Sequence, residues 1–271
     1  MNFGIFIDIG GTYIRFGVCG VSEESPEIVI QTPCHKSEIL SKLHYNILLL
    51  KQQYPNVSNT LLVSCPGMIT TDGIVSKALY IDLVNINLRK ELEHLCGMYV
   101  ILENDANVQA LGRYNGKDDL LYITIGTAVG GAYVNKNGIF RGNDGFACEF
   151  GHIFVDSKEV CFCGRKGCLD SVLSGRRIIE RFGEGWWKRG DNNDIEGYLT
   201  YCGSKLVNAL ETLCAAFNPG EVVICGQICD KENFRNSVRR DFGKTLWCNG
   251  NLSFESNSWK LTYNAACGLL N

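Results

Sequence analysis

Short unbroken apolar runs alternate along this chain with longer stretches of helical spacing, and glycine-containing turns close most of the apolar runs. Residues 3–8 form the first run, which ends at Gly10-Gly11-Thr12 before apolar positions resume over 14–18. That pattern predicts two strands joined by a glycine-tipped hairpin. Over 38–50, the apolar positions Ile39, Leu40, Leu43, Ile47, Leu48 and Leu50 follow the spacing of a helix packed on one face. A strand is expected at 60–64, stopped by Cys65-Pro66-Gly67. A helix over 88–95, a strand over 99–102 and a helix over 106–114, opened by Asn104-Asp105, follow it. The most polar break, 115–119, is the expected boundary between domains over 1–115 and 116–271.

Beyond the break, 120–125 reads as a buried strand ending at Gly126-Thr127, and a second strand over 130–134 turns at 135–138. The first domain opens in the same way, which hints at duplicated halves. Helices are expected over 174–182 and 203–217, and a strand over 222–225 ends at Gly226. Strands and helices alternating at this pace indicate an α/β architecture with a partly parallel sheet.

Composition narrows the function classes. A length of 271 residues accommodates two domains with separate cores. A net charge of -3 without a dense Lys/Arg run leaves no electrostatic footprint for nucleic acid. No apolar stretch reaches the length of a membrane span, and the apolar start contains Asp8 and lacks a basic leader, so it reads as a strand and not a signal peptide. The 14 cysteines are scattered along the chain, a pattern of reduced thiols that makes the cytoplasm the expected compartment.

Four groups of residues can carry chemistry. Glu149-Phe150-Gly151-His152 is followed by Cys161, Cys163 and Cys168, and then by Asp170. One imidazole and three thiols suit the closed tetrahedral shell of a structural zinc ion, and Gly164-Arg165-Lys166-Gly167 can turn the chain back around it. In so cysteine-rich a chain, the competing reading is a set of buried, unliganded thiols. Asp8 precedes two glycines that let backbone N–H groups approach phosphate oxygens, and its carboxylate suits hydrated magnesium. The same Gly-Gly-Thr also serves as a plain hairpin tip. Asn104-Asp105 sits where a strand meets a helix, so either residue can cap the helix. An Asp beside an Asn equally suits a general base for a hydroxyl, with the amide orienting the substrate. Gly126-Thr127 with Gly130-Gly131 forms a second candidate phosphate cradle.

In this order along the chain, the four groups resemble the ROK sugar kinases, a family of bacterial glucokinases, fructokinases, allose kinases and N-acetylmannosamine kinases related to actin and hexokinase. The resemblance runs from Asp8 to about Gly268 and is most specific at Glu149-x-Gly151-His152 with Cys161-x-Cys163-Gly-x-x-Gly-Cys168. It implies an α/β, two-domain actin-like ATPase (ribonuclease H-like) fold with a cleft between the domains. By the same resemblance, Asp8, Gly10, Gly11 and Thr12 match the first phosphate loop, and Gly126 and Thr127 the second. Asp105 matches the catalytic base and Asn104 its sugar-binding neighbour, while Glu149 and His152 match sugar contacts. His152, Cys161, Cys163 and Cys168 match the zinc ligands, and the segment from Asn218-Pro219 to Cys225-Gly226 matches the adenosine end of the nucleotide site. The implied reaction is phosphorylation of a hexose or N-acetylhexosamine, at the 6-hydroxyl, with ATP, Mg2+ and structural Zn2+. The implied assembly is a homodimer or homotetramer without nucleic-acid or membrane partners.

The chain departs from the family pattern at four places. Asp170 stands where the family has Glu, one methylene longer, and so bears on sugar choice if it keeps a sugar contact. Ala128 replaces a glycine of the second phosphate turn, which requires a negative φ there. The nucleotide-side turn is Cys225-Gly226-Gln227 in place of a glycine run, and the sequence given stops at Asn271, where the longer closing helix of many relatives is not expected. Two alternatives remain beside the kinase: a sugar-responsive regulator, for which Asp8 leaves no room for a preceding DNA-binding segment, and a non-catalytic sugar-binding homologue.

Overall fold

The computed structural model describes residues 3–79, 81–189, 192–244 and 247–270. The first apolar run becomes strand β1 (Phe3–Ile9), paired antiparallel with β2 (Tyr13–Val18), to which β3 (Ile28–Gln31) adds antiparallel. Ile5, Phe6 and Ile7 are all fully buried. The run is continuous because both faces of β1 are covered: Ile5 and Ile7 join one core cluster and Phe6 another. Helix α1 (Lys36–Gln53) leads to β4 (Val57–Cys65), which lies parallel to β1. A small sheet of β5 (Met68–Ile69), β6 (Ile74–Lys77) and β7 (Ile86–Asn87) follows, and then helix α2 (Leu88–Cys96). The Asn87 side chain caps α2 by accepting from Lys90 N–H, and Gly97 ends it in the left-handed conformation. Strand β8 (Tyr99–Asn104) completes the sheet in the order β3-β2-β1-β4-β8 and passes straight into α3 (Asp105–Arg113).

The expected helix over 38–50 is longer at both ends, and its buried face is Ile39, Leu43, Asn46, Ile47 and Leu50. Leu48, expected on that face, is instead 48% exposed, because it lies about 100° round the helix from Ile47.

The second sheet repeats the plan of the first. Strands β9 (Leu120–Ile125), β10 (Val129–Asn135) and β11 (Gly138–Ile139) are antiparallel neighbours. Two short helices follow, α4 (Asp170–Leu173) and α5 (Gly175–Phe182), and then the long α6 (Asn193–Phe217). Strand β12 (Glu221–Cys225) pairs parallel with β9. After α7 (Glu232–Asp241), β13 (Asn251–Glu255) pairs parallel with β12, giving the order β11-β10-β9-β12-β13. Helix α6 starts ten residues before its expected position, where the Asn192 carboxamide accepts from Asp194 and Ile195 N–H. A last helix, Ser258–Leu270, packs Trp259, Ala265, Ala266 and Leu270 in the cluster that holds Phe6.

The chain divides into two compact units. One comprises Met1–Arg113, Arg141–Ala147 and Trp259–Asn271, and the other Tyr114–Phe140 and Cys148–Ser258. The first unit therefore takes back two later pieces of chain, which a division into continuous segments at 115/116 does not contain. Within it, Gly112 lies where a side chain would meet the Leu261 carbonyl, so α3 and the last helix approach at backbone distance. Among the described residues, no helix is long and apolar enough to cross a membrane.

Candidate functional site

In the first unit, the candidate residues gather at the carboxyl ends of the parallel strands, where open α/β sheets place ligand-binding groups. Asp8 of β1 lies opposite Ser64 of β4, Ser64 opposite Glu103 of β8, and Cys65 opposite Asn104. The buried Asp8 carboxylate accepts from the Ser64 hydroxyl at 3.1 Å and from the Arg15 guanidinium at 3.1 Å. Asp105 opens α3 directly beyond β8. Burial, followed by the Asp8 carboxylate, pushes the Asp105 carboxyl up to about 6 against the opposing pull of Ala106 N–H.

Asn104 performs the capping that its position invited. Its Oδ1 accepts from Ala106 N–H at 2.9 Å and Asn107 N–H at 3.2 Å, and its Nδ2 donates to the Gly67 carbonyl at 3.0 Å. The Asn104 amide also hydrogen-bonds to the Asp105 carboxylate, tying the cap to its neighbour. Two residues without an assigned role from sequence support these groups, Glu103 beside Asn104 and Thr32 at the glycine turn. The buried Glu103 carboxylate accepts from Asn104 N–H and from Asn107 Nδ2, and it forms an ion pair with Arg141. The Gly10-Gly11-Thr12 turn is held by Thr32, which donates its hydroxyl to the Gly10 carbonyl at 2.6 Å and its N–H to the Thr12 carbonyl at 3.0 Å. Gly11 and Thr12 face solvent.

In the second unit, Gly126 and Thr127 follow β9, and their carbonyls accept from Gly175 N–H at 2.8 Å and Arg176 N–H at 3.3 Å. The start of α5 therefore braces this turn. Ala128 is not among the non-glycine residues with positive φ, so its methyl group fits the turn as required. Gly226 has φ 139°, and a side chain there would come within 2.2 Å of the Ile125 carbonyl. This brings Gly226 against the end of β9 beside Gly126. Gly226→Ala is expected to cost several kcal/mol through strain and steric overlap, read as a Tm lower by at least 5 °C in a thermal melt. An unchanged Tm would show that the β9 end yields freely.

His152, Cys161, Cys163 and Cys168 present their ligand atoms within 4.8 Å of one another. His152 Nδ1 lies 3.6 Å from Cys161 Sγ, and Cys163 Sγ lies 3.7 Å from Cys168 Sγ. A tetrahedron with zinc–sulfur bonds of about 2.3 Å and a zinc–nitrogen bond of about 2.0 Å has edges of about 3.8 Å for S···S and about 3.5 Å for N···S. The donor set and its spacing thus fit zinc. Gly164 and Gly167, both with positive φ, fold the loop back as the sequence suggested, and Cys161 N–H donates to the Arg165 carbonyl at 2.8 Å.

The flanking acids have different surroundings. Glu149 is exposed at the head of a short 3-10 turn, Phe150–His152. That turn is clamped to β10, because a side chain on Gly151 would lie 2.2 Å from the Val129 carbonyl and Gly131 leaves room for the Phe150 ring. Asp170 is buried, and its Oδ1 accepts from Val129 N–H at 2.7 Å. Burial raises its carboxyl, while the Val129 bond and the charges of His152, Arg176 and Arg177 oppose the rise. One Asp170 oxygen thus ties the cysteine loop to β10.

Comparison with known proteins places this geometry. Residues 4–253 match the ROK family. A glucokinase of Thermotoga maritima is 32% identical over 199 residues, covering 68% of this chain and 61% of that protein, so the match spans about three fifths of that relative's length. A xylose repressor of Bacillus subtilis is 24% identical over 283 residues, covering 97% of this chain and 71% of the repressor. The crystal structure of a ROK family glucokinase from Streptomyces griseus, in complex with glucose and AMPPNP, superposes with a TM-score of 0.83 at 24% identity and covers 99% of both chains. The fold is therefore that of the ROK sugar kinases, an actin-like ATPase fold. With the family match running over nearly its whole length, the chain belongs to the ROK family.

Proposed function

We propose that the protein transfers the γ-phosphoryl group of ATP to the 6-hydroxyl of a hexose or N-acetylhexosamine, with Asp105 as general base. The observation that carries this reading is the placement of Asp105 at the first turn of α3, directly beyond the carboxyl end of β8, where burial and the Asp8 carboxylate raise its carboxyl to about 6. A base of that strength is ionised at neutral pH and still able to take a proton from an alcohol as it reacts. Asp105 accepts the sugar hydroxyl proton, the hydroxyl oxygen bonds to the γ-phosphorus, and the bond from that phosphorus to the bridging oxygen breaks to release ADP. The protein's work is positioning and charge stabilisation.

Asn104, hydrogen-bonded to the Asp105 carboxylate, lies beside the same sugar hydroxyl, while Glu149 and the second oxygen of Asp170 accept from other hydroxyls. His152, with Nδ1 toward the thiols, keeps Nε2 for a sugar oxygen. Gly10, Gly11 and Thr12 on one turn, and Gly126 and Thr127 on the other, offer backbone N–H groups to phosphate oxygens, with Gly226 giving room for the nucleotide. Magnesium held through water at Asp8 would spread the phosphate charge, and zinc on His152, Cys161, Cys163 and Cys168 would rigidify the loop carrying the sugar contacts. The likeness to proteins named glucokinase, one of them solved with glucose and AMPPNP, supports this reading.

A second reading, sugar binding without phosphoryl transfer, is favoured by the likeness to a xylose repressor over 97% of this chain. ADP release measured across a panel of hexoses and N-acetylhexosamines separates the two. The kinase reading expects release that depends on one or a few sugars and saturates with them. Sugar binding by calorimetry with no ADP release from any sugar would overturn it.

A further inference from the structure

Beyond the residues assigned to sugar and phosphate, one charged side chain is tied to the base from a distant part of the chain. Arg141 begins the segment Arg141–Ala147, which belongs to the first unit although the chain on both sides of it belongs to the second. Two contacts fix this strap. The Arg141 guanidinium pairs with Glu103 Oε2, and Gly145 lies so close to β5 that a side chain would come within 2.8 Å of the Ile69 carbonyl. The other carboxylate oxygen of Glu103 accepts from Asn104 N–H at 2.9 Å and from Asn107 Nδ2 at 2.8 Å. Glu103 is 7% exposed, and a carboxylate at that depth requires a charged partner or a full set of hydrogen bonds. Its hydrogen bonds run to the residues on either side of Asp105 and Ala106. The orientation of Glu103 therefore passes directly into the turn that aims the base.

We propose that Arg141 is a positioning residue for Asp105: by neutralising and orienting Glu103, it holds Asn104, Asn107 and the first turn of α3 in the geometry the base needs. The proposal rests on the kinase reading of Asp105. Arg141 itself touches neither sugar nor nucleotide in this scheme. Its side chain is 47% exposed, so its replacement does not open a cavity, and variants at this position are suited to testing function apart from folding.

The test uses the full chain and five proteins: wild type, Arg141→Met, Arg141→Lys, Glu103→Gln and Glu103→Gln/Arg141→Met, with Glu103→Gln as the reference for the last. Arg141→Met is expected to lower kcat for phosphoryl transfer about 10–100-fold, the range for removing a residue that orients a functional group, with the nucleotide KM unchanged. Arg141→Lys, which restores the charge, is expected to recover at least tenfold of that loss. On the Glu103→Gln background, Arg141→Met is expected to add less than about a threefold further change, because the two residues act through one ion pair. A kcat for Arg141→Met within about threefold of wild type, or effects of the two substitutions that multiply, would overturn the proposal. The same holds if Tm falls in Arg141→Met while kcat at a temperature well below the melt is kept. Absence of ADP release from the wild type with every sugar would count instead against the kinase reading, so the two failures are distinguishable.

Discussion

Asp105→Asn is expected to lower kcat by about 10²–10⁴, the range supplied by a positioned general base, while sugar affinity measured by calorimetry stays within about threefold. The amide keeps the size of the carboxylate, and its oxygen can still accept from Ala106 N–H as Asp105 Oδ1 does. What it loses is the ability to take the hydroxyl proton. The wild-type pH profile should carry the same signature, with kcat/KM measured at saturating magnesium falling about tenfold per pH unit below about 6, where Asp105 is protonated. An acid limb near the ordinary carboxylate range, or a variant with near wild-type turnover, would remove Asp105 from the role of base.

The same raised carboxyl has a consequence for stability with the opposite sign to its benefit for rate. Its value in the folded chain, about 6, lies above the ordinary 3.8, so the folded state binds this proton more tightly than the unfolded state. Stability from this group is greatest at low pH and declines as pH rises from about 3.8 through about 6. Above that window the ionised side chain costs on the order of 1–3 kcal/mol, from ~1.36 kcal/mol per pKa unit. Asp105→Asn should therefore raise Tm at pH 8, measured without ligands, and lose that advantage near pH 4. A variant that is both inactive and more stable at neutral pH is difficult to explain as a damaged fold.

Cys168→Ser is expected to reduce bound zinc from about one per chain to near zero by elemental analysis, and to raise the sugar KM about 10–100-fold. The effect on kcat should be smaller. Cys168 is buried and its carbonyl accepts from the Ser171 hydroxyl at 2.7 Å, while Asp170, two residues on, holds Val129 N–H. Loosening this point frees the loop from β10, and with it the aim of Glu149 and His152. A wild-type protein purified with no zinc, whose sugar KM is unaffected by Cys168→Ser, would establish the four side chains as an ordinary thiol cluster.

The parts of the fold and site legible in the sequence share a physical cause: their determinants are local. Strands β1, β9 and β12 read clearly because sheet strands covered on both faces are continuous apolar runs, each closed by a glycine that the structure shows in contact with a neighbouring backbone. The His152–Cys168 cluster read clearly because its donors lie on one loop. The last helix, Ser258–Leu270, escaped notice because its buried face alternates Trp259 and Leu261 with small residues, Ala265 and Ala266, that give a weak periodic signal. The sheet of β5, β6 and β7 has strands of two to four residues, too short for a pattern. Glu103 stood in view within the polar run before α3, but its significance depends on Arg141, a partner set beside it only by the return of the chain to the first unit. Asp170 kept its motif position, yet its bond to Val129 N–H could not be read from spacing.

The repeated strand order also lets the two halves be read against each other position by position. Asp8, two residues before Gly10, corresponds to Thr124, two residues before Gly126. The cross-strand and parallel neighbours of Asp8 are Arg15 and Ser64, whereas those of Thr124 are Gly130 and Cys225. One copy of the motif is thus ionic and the other neutral, although their backbones run the same course. A symmetric ancestor of such a chain would have presented two like charges or none. At these paired strand positions the two halves differ in their side chains, one carrying a carboxylate with a basic and a hydroxyl neighbour and the other none of the three. Transplanting Asp8, Arg15 and Ser64 onto the second half would ask whether that division of labour can be reversed without touching the fold.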